Sequence, residues 1–202
     1  MTEEQAQDWL RDRFGVAAFG RLQQLNLMVA EENGRQNLVA PSTFEVMWNR
    51  HILDSAQLVP LAPSSGTWID VGTGGGFPGL VVAILRNDPV ILVEPRRKRA
   101  DFLVRCVAEL GLAGTTVHAT RVEQVSDIAM TISARAVASI ENILHAAAGC
   151  ATMATRWLLP RGRFAEADRA QLKRHWRGVF HVEQSLSDAG SSILVLDGVS
   201  RR

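Results

Sequence analysis

Thr67-Trp-Ile-Asp-Val-Gly-Thr-Gly-Gly-Gly-Phe-Pro-Gly79 is the stretch whose reading decides the fold. Its first five residues are a short, mostly apolar run with β-branched members, and a glycine-dense loop starts at once at Gly72. The apolar segment that follows to Leu85 reads as a helix with Pro78 in its first turn, where a missing N–H leaves no bond unmade. Strand, glycine turn and helix together open a nucleotide-binding α/β sheet. Without Cβ atoms the loop backbone can turn sharply and approach a ligand closely.

Outward from this unit the same alternation continues. Val90–Val93 is a second strand ending at Glu94, residues 97–110 are helical and stopped by Gly111, and 115–119 and 128–134 read as strands. A helix is expected over 139–155, with further strands at 179–184 and 192–196. Upstream, Pro63-Ser-Ser-Gly66 breaks the chain from a helical region. Residues 3–33 form one helix, with Phe19, Leu22, Leu25, Met28 and Val29 at helical spacing and Asn33-Gly34 as its stop. A second helical stretch runs from Pro41 towards Pro60, with Ser42 and Glu45 spaced as a capping box. The expected architecture is α/β: a Rossmann-like, doubly wound, mostly parallel sheet behind an N-terminal helical cap. Residues 1–65 would form the cap and 66–202 the core of one compact unit, with the ligand at the carboxyl ends of the strands.

Composition narrows the function classes. The 202 residues carry 22 Lys and Arg against 21 Asp and Glu, a net charge of +1, with 47% hydrophobic residues. That is a globular composition, which excludes disorder as the main state and confines any nucleic-acid site to a local patch. Cys106 and Cys150 sit in neither a CxxC nor a Cys/His spacing, so no zinc signature and no disulfide framework is visible. Both cysteines, and His118 and His145, read as structural. The start, MTEEQAQDWL, has no basic or apolar leader character, and apolar runs such as Leu80–Leu85 are too short to cross a bilayer. The expectation is a cytoplasmic protein without membrane contact, and a monomer is the simplest state.

The loop permits two chemical readings. From Gly74, the residues Gly74, Gly76 and Gly79 satisfy GxGxxG; from Asp70, the pattern is Asp70, Gly72, Gly74, Gly76. A carboxylate held at the mouth of the loop would repel a pyrophosphate and attract a cationic ligand. S-adenosyl-L-methionine carries a sulfonium and an ammonium and no phosphate, so it fits better than a dinucleotide or a purely structural turn. Glu94 lies 22 positions after Gly72, where either nucleotide class needs a partner for ribose hydroxyls.

Several motifs in this order resemble one family: Asn37-Leu-Val, Arg50-His-Ile-Leu-Asp-Ser55, Ile69-Asp-Val-Gly-Thr-Gly-Gly-Gly-Phe-Pro-Gly79 and Lys98-Arg99 before Phe102-Leu103. Arg121-Val-Glu123 and Ser133-Ala-Arg-Ala136 belong to the same set. The chain is similar over about residues 20–165 to the RsmG, or GidB, methyltransferases of small-subunit ribosomal RNA. Gly162-Arg163, Trp176 and Ile193-Leu194 extend the likeness into the tail. The resemblance implies a class I fold that uses S-adenosylmethionine and methylates N7 of one guanine in 16S ribosomal RNA near the decoding centre. The substrate would be the small subunit or an assembly intermediate. It also implies cofactor contacts from Gly72 and Phe77, from Glu94 on the ribose, from Val122-Glu123 beside the adenine, and from Arg135, which could pair with the cofactor carboxylate or with Asp70. On the residues alone, Val122-Glu123 is equally a helix start and Arg135 a surface arginine.

Arg96, Arg97, Lys98 and Arg99 form the densest basic run, either a phosphate-binding patch or a solvated helix start. Arg50, His51 and Asn37 are a second candidate surface on the cap, with His51 in a substrate or an architectural role. Arg161, Arg163, Arg169, Lys173 and Arg174 are a third. Arg161 stands where the family often has lysine, so the charge is kept while a planar fork replaces a point charge. A guanine in folded RNA must be splayed out, which calls for stacking partners; Phe77, Arg50 and Trp48 are candidates, with core packing the stronger role for Trp48.

No general base is expected. Guanine N7 has an in-plane lone pair and no proton, so in-line displacement at a sulfonium methyl needs alignment, and acceptors near the charge that develops. Carbon-5 pyrimidine methylation would need a cysteine at a strand end, and exocyclic adenine methylation a Pro-Pro-aromatic motif where this chain has Ser133-Ala-Arg-Ala136. A ribosome assembly factor with little turnover and a small-molecule methyltransferase are the alternatives in other classes.

Overall fold

The computed structural model describes residues 1–135 and 139–202. Ala136, the last residue of the Ser133-Ala-Arg-Ala motif, lies outside the described residues. The first helix, α1 (Glu3–Asn33), begins with a capping box: Thr2 Oγ1 accepts from the Gln5 amide and Gln5 Oε1 accepts from the Thr2 amide. Gly15, at φ 80°, divides it into two helical stretches.

The single helix expected from Pro41 is not formed. The chain instead makes a 3-10 turn at Pro41–Val46, a wide π-turn at Trp48–Leu53, the short α2 (Asp54–Ala56) and a 3-10 turn at Val59–Leu61. No side chain caps the first of these, so Ser42 and Glu45 are not a capping box. The cause is tertiary. The Glu3 carboxylate of α1 accepts from the amides of Trp48 and Asn49, at 2.9 and 2.8 Å, and satisfies donors that a longer helix would have bonded internally. The widened turn places Arg50 and His51.

The sheet contains β1 (Trp68–Val71), β2 (Val90–Val93), β3 (Thr115–His118), β4 (Thr131–Ser133), β5 (Arg156–Arg161), β6 (Trp176–Gln184) and β7 (Ser192–Arg201), in the order β3-β2-β1-β4-β5-β7-β6. The first five strands are parallel, and β7 runs antiparallel between β5 and β6. Helices α3 (Gly79–Leu85), α4 (Arg97–Glu109), α5 (Ile140–Ala146) and α6 (Glu166–His175) complete the chain. Because β1 is flanked by β2 on one side and β4 on the other, the winding reverses there, and a crevice opens at its carboxyl end.

The segment from 139 to 175 departs from the sequence expectation. The helix foreseen over 139–155 ends at Ala146, followed by a 3-10 turn at Ala148–Cys150, and β5 and α6 follow where none was read. The Ala-rich segment 146–151 has helical composition but stops where the Ala129 amide bonds the Cys150 carbonyl. Arg161 therefore ends a strand rather than sitting in a turn after a helix.

The cap covers one face of the sheet. Leu22, Leu25 and Trp48 share an apolar cluster with Val81 of α3 and Phe102 of α4, while Ile69, Val93, Ile132, Leu144 and Trp157 pack on the other face. Trp48 stacks on Phe19 with ring centroids 5.2 Å apart, so its role is core packing. Gly79 is required by close approach: a Cβ there would collide with Leu92 and come within 2.7 Å of Asp70 Oδ2.

Candidate active site

The glycine loop after β1 is held by two carboxylates. Trp68 Nε1 donates to Ser133 Oγ at 2.8 Å, Ser133 Oγ donates to Asp70 Oδ1 at 2.6 Å, and the Gly79 amide donates to Asp70 Oδ2 at 2.9 Å. Asp70 is completely buried at the base of the loop, not at its mouth as the sequence suggested. Burial pushes its carboxyl up to about 6, opposed by the hydrogen bonds from Ser133 and Gly79. The mouth is governed by Glu94, whose Oε2 accepts from the Gly74 amide at 2.9 Å and whose Oε1 accepts from the Arg96 amide at 2.8 Å. The amides of Gly74 and Gly79, which would cradle a pyrophosphate in a dinucleotide fold, are thus already occupied by negative charge. The arrangement suits a cationic, phosphate-free nucleoside, and Glu94 keeps lone pairs for hydroxyl groups.

Three cavities lie around the carboxyl ends of the strands. The largest, about 930 Å³, is lined by Gly72 and Pro95 with Val122 and Glu123, and by Asn142 and His145 of α5. The second, about 410 Å³, shares Gly72 and Pro95 with it and adds Gly74, Phe77, Glu94, Arg96, Arg99 and Arg135. Gly72, Gly74, Phe77, Glu94, Val122 and Glu123 are thus brought together along one cleft, and Asp70 lies beneath it. The third cavity, about 340 Å³, sits between the cap and β5 and is lined by Thr43, Arg50, His51, Asp54, Arg135 and Arg161 among others. Arg135 lines both the second and the third.

Arg135 follows β4 and is fastened from the cap side. It donates to the Arg50 carbonyl at 3.2 Å, to Asp54 Oδ2 at 3.3 Å and to His51 Nδ1 at 2.8 Å, and its guanidinium lies over the Phe77 ring at 5.5 Å. The partner is Asp54, not Asp70. Because a guanidinium can only donate, His51 Nδ1 must accept, and its Nε2–H donates to Thr43 Oγ1 at 2.8 Å. Burial, with Arg135 and Arg50 nearby, pushes the imidazole down to about 3, so it is neutral. Asp54 Oδ1 accepts in turn from Ser187 Oγ at 2.7 Å and from Gln57 Nε2 at 2.9 Å. The segment Arg50-His-Ile-Leu-Asp-Ser55 is therefore a clamp on one arginine.

The basic residues divide. Arg96, Arg97 and Lys98 are exposed at the start of α4, beside the cleft, and Arg97 pairs with Asp101. Asn37 is exposed nearby, its carbonyl accepting from Arg99 at 3.0 Å. Arg50 pairs with Asp188 on the rim of the third cavity, and Arg161 is half-buried at its floor. Sequence reasoning missed Thr43, the role of Asp54 and the Ser185–Ser187 turn that braces it; His145, read as structural, bonds the Glu141 carbonyl and packs edge-on to Trp176 at the margin of the largest cavity. Asp54 could have been found from its place in the motif; Ser187 had no local signal.

The chain matches the GidB family model, rRNA small subunit methyltransferase G, over residues 19–192. It belongs to that family. It is 46% identical over 201 residues to the ribosomal RNA small subunit methyltransferase G of Sphingopyxis alaskensis, covering 97% of this chain and 86% of that one. The Erythrobacter litoralis protein of the same name is 42% identical over 197 residues, covering 96% and 95%. Among solved structures, a mutant of MtNAS in complex with S-adenosylmethionine superposes with a TM-score of 0.61 at 13% identity, over 88% of this chain and 71% of that one, a likeness of fold. As a member of the rRNA small subunit methyltransferase G family, the protein methylates ribosomal RNA, and its fold is the Rossmann-like one of S-adenosylmethionine-dependent methyltransferases.

Proposed function

We propose that the protein transfers the methyl group of S-adenosyl-L-methionine to N7 of a single guanine in 16S ribosomal RNA, by in-line displacement and without a general base. The observation that carries this reading is the carboxylate-occupied glycine loop beside a second, basic cavity on the cap. Glu94 and Asp70 on the loop amides favour a sulfonium ligand over a pyrophosphate. Gly72, Gly74 and Phe77 would hold the methionine part, Glu94 the ribose, and Val122 and Glu123 the adenine. When bound, the cofactor supplies an activated methyl carbon. The chain supplies alignment, and no proton has to move at guanine N7.

The remaining residues fit this chemistry. The Cys106 thiol is pushed up to about 12 by burial and Cys150 is raised by burial, so neither is a nucleophile for pyrimidine carbon methylation. Arg96, Arg97 and Lys98 beside the cleft, Asn37 nearby, and Arg50 and Arg161 at the third cavity would contact the RNA of the small subunit. No helix of the described residues is long and apolar enough to cross a membrane.

The test is transfer of labelled methyl to small ribosomal subunits from a strain lacking this gene, with naked 16S RNA and bulk transfer RNA alongside and the modified base identified after digestion. N7-methylguanine at one site in 16S RNA is the expected result. Measurable S-adenosylmethionine binding without transfer would replace this reading with an assembly factor or a small-molecule enzyme.

A further inference from the structure

A fourth cavity, about 330 Å³, lies outside the cleft, on the face of the sheet that α5 covers. It is formed by Arg174 and His175 at the end of α6, Trp176 at the start of β6, and Arg201 and Arg202 at the end of β7, with Glu141 and His145 of α5. The cavity is rich in donors and poor in acceptors. Among the described residues the guanidiniums of Arg174, Arg201 and Arg202 make no hydrogen bond or ion pair, whereas Arg50, Arg97 and Arg156 each hold a carboxylate. Trp176 is 5% exposed, and its Nε1–H is buried without an acceptor, which calls for an ion or a water. The one side-chain carboxylate of the lining, Glu141, is bonded to His175 Nδ1 at 3.1 Å. We infer that this cavity holds a phosphate group of the RNA flanking the methylated base, and that Arg174, Arg201 and Arg202 anchor the substrate there. The inference rests on the family's ribosomal RNA substrate alone, whichever base atom takes the methyl group.

Three like charges round one cavity repel one another, and the fold sets their backbone in place. Arg201 stands opposite Trp176 in the β6–β7 ladder, and the Arg202 amide donates to the His175 carbonyl at 2.9 Å. The Trp176 indole packs edge-on against the His145 ring. The ligand that fits is anionic and brings its own acceptors, and a phosphodiester offers both. The placement suits a track for RNA. His145 lines this cavity and the largest one, so a phosphate held here lies next to the cleft. Phe102 of α4, the helix that starts with Arg97 and Lys98, packs in the cluster on the cap's face of the sheet, whereas Leu144 of α5 and Trp176 pack in the other. Exposed cations therefore flank the cleft on both faces. The helix α6, ten residues and about 15 Å long, leads from the end of β5 that carries Arg161 to this corner, a span of roughly four nucleotides in a helical strand. Contacts of this kind fix the register of the substrate and leave the choice of base to the cleft.

The test removes two of the cations, in Arg174→Ala with Arg201→Ala, and measures binding of the full-length protein to small-subunit ribosomal RNA over a range of salt. Both side chains are exposed and unpaired, so the denaturant midpoint is expected to stay that of the wild type. Affinity should fall about tenfold near 0.1 M salt, and the slope of log K against log salt should become shallower by about 1. In methyl transfer, KM for the RNA should rise by the same factor while kcat stays within about twofold, the sign of lost ground-state binding. S-adenosylmethionine affinity by calorimetry should be unchanged. Arg174→Lys with Arg201→Lys should recover most of the RNA affinity, because a phosphate also accepts a point charge. Arg11→Ala with Arg13→Ala takes the same net charge from exposed positions on α1 and should leave the slope as it is. A wild-type slope in the Arg174→Ala, Arg201→Ala protein would overturn the assignment. So would an equal loss in the α1 pair, which would reduce the effect to bulk charge, or a fall in cofactor affinity, which would put these residues in the cofactor site.

Discussion

At the residue scale, the glycine loop is held by carboxylates that accept from its backbone amides. Glu94 is the clearest case, because it is 3% exposed and spans the Gly74 and Arg96 amides. Replacing it by alanine leaves the part-buried amides of Gly74 and Arg96 without their partner and removes the proposed ribose acceptor, so Glu94→Ala is expected to weaken S-adenosylmethionine binding by about 100-fold in calorimetry. Unchanged affinity would remove the ribose assignment. His51 makes a different prediction. The ordinary imidazole value is 6.5 and the folded one is about 3, so the unfolded chain takes up a proton that the native state does not. Its contribution is whole above pH 6.5 and is lost as pH falls towards 3, at up to about 1.4 kcal/mol per pH unit. Asp70 acts in the opposite sense, since its folded carboxyl protonates near 6, before the unfolded one at 3.8, and adds stability as pH falls across that interval. The two oppose each other in the wild type. The stability gap between wild type and His51→Gln, measured by denaturant unfolding, should therefore shrink by about 2 kcal/mol between pH 7 and pH 5. A gap independent of pH would show that His51 takes up its proton in the folded protein.

At the element scale, α3 lies tight against β1 and β2, and Gly79 is where they meet. A methyl group at Gly79 collides with Leu92 and crowds Asp70, both on strands that cannot move independently. Gly79→Ala is expected to cost about 2–3 kcal/mol in thermal or denaturant unfolding, in the range of overpacking a close-packed core. A cost below about 0.5 kcal/mol would mean that the helix slides away freely. This element was legible in the sequence because a strand, a glycine turn and a helix follow one another within nineteen positions, Thr67 to Leu85. The stretch from Pro41 to Leu61 was not. Its composition is helical, but it folds as 3-10 and π turns, with the Glu3 carboxylate arriving from α1 to take the Trp48 and Asn49 amides. Similarly, β5 carries Pro160 and follows an alanine-rich segment, so nothing local announced a strand between β4 and β7.

At the scale of the whole molecule, a net charge of +1 hides a local arrangement. Arg96, Arg97 and Lys98 stand exposed beside the cleft at the glycine loop, while the third cavity gathers Arg50 and Arg161 from the cap and β5. A double Arg97→Ala, Lys98→Ala variant should bind RNA more weakly with a shallower salt dependence, the slope of log K against log salt falling by about 1–2, and should bind S-adenosylmethionine as before. A slope identical to the wild type would place the RNA elsewhere on the surface.

The sequence by itself determined the order of strands and helices in the glycine-loop unit and the identity of the motif residues. These depend on neighbours in the chain, where hydrophobic period and glycine placement act directly. What only the tertiary structure decided is who meets whom. Asp70 went beneath the loop and Glu94 to its mouth, Arg135 took Asp54 as its partner, and a serine turn from the far end of the chain closed the clamp. A buried charge or amide must find a partner wherever the fold brings one, and that choice is made across distances in sequence, here from 54 to 135 and from 54 to 187, that no local pattern records.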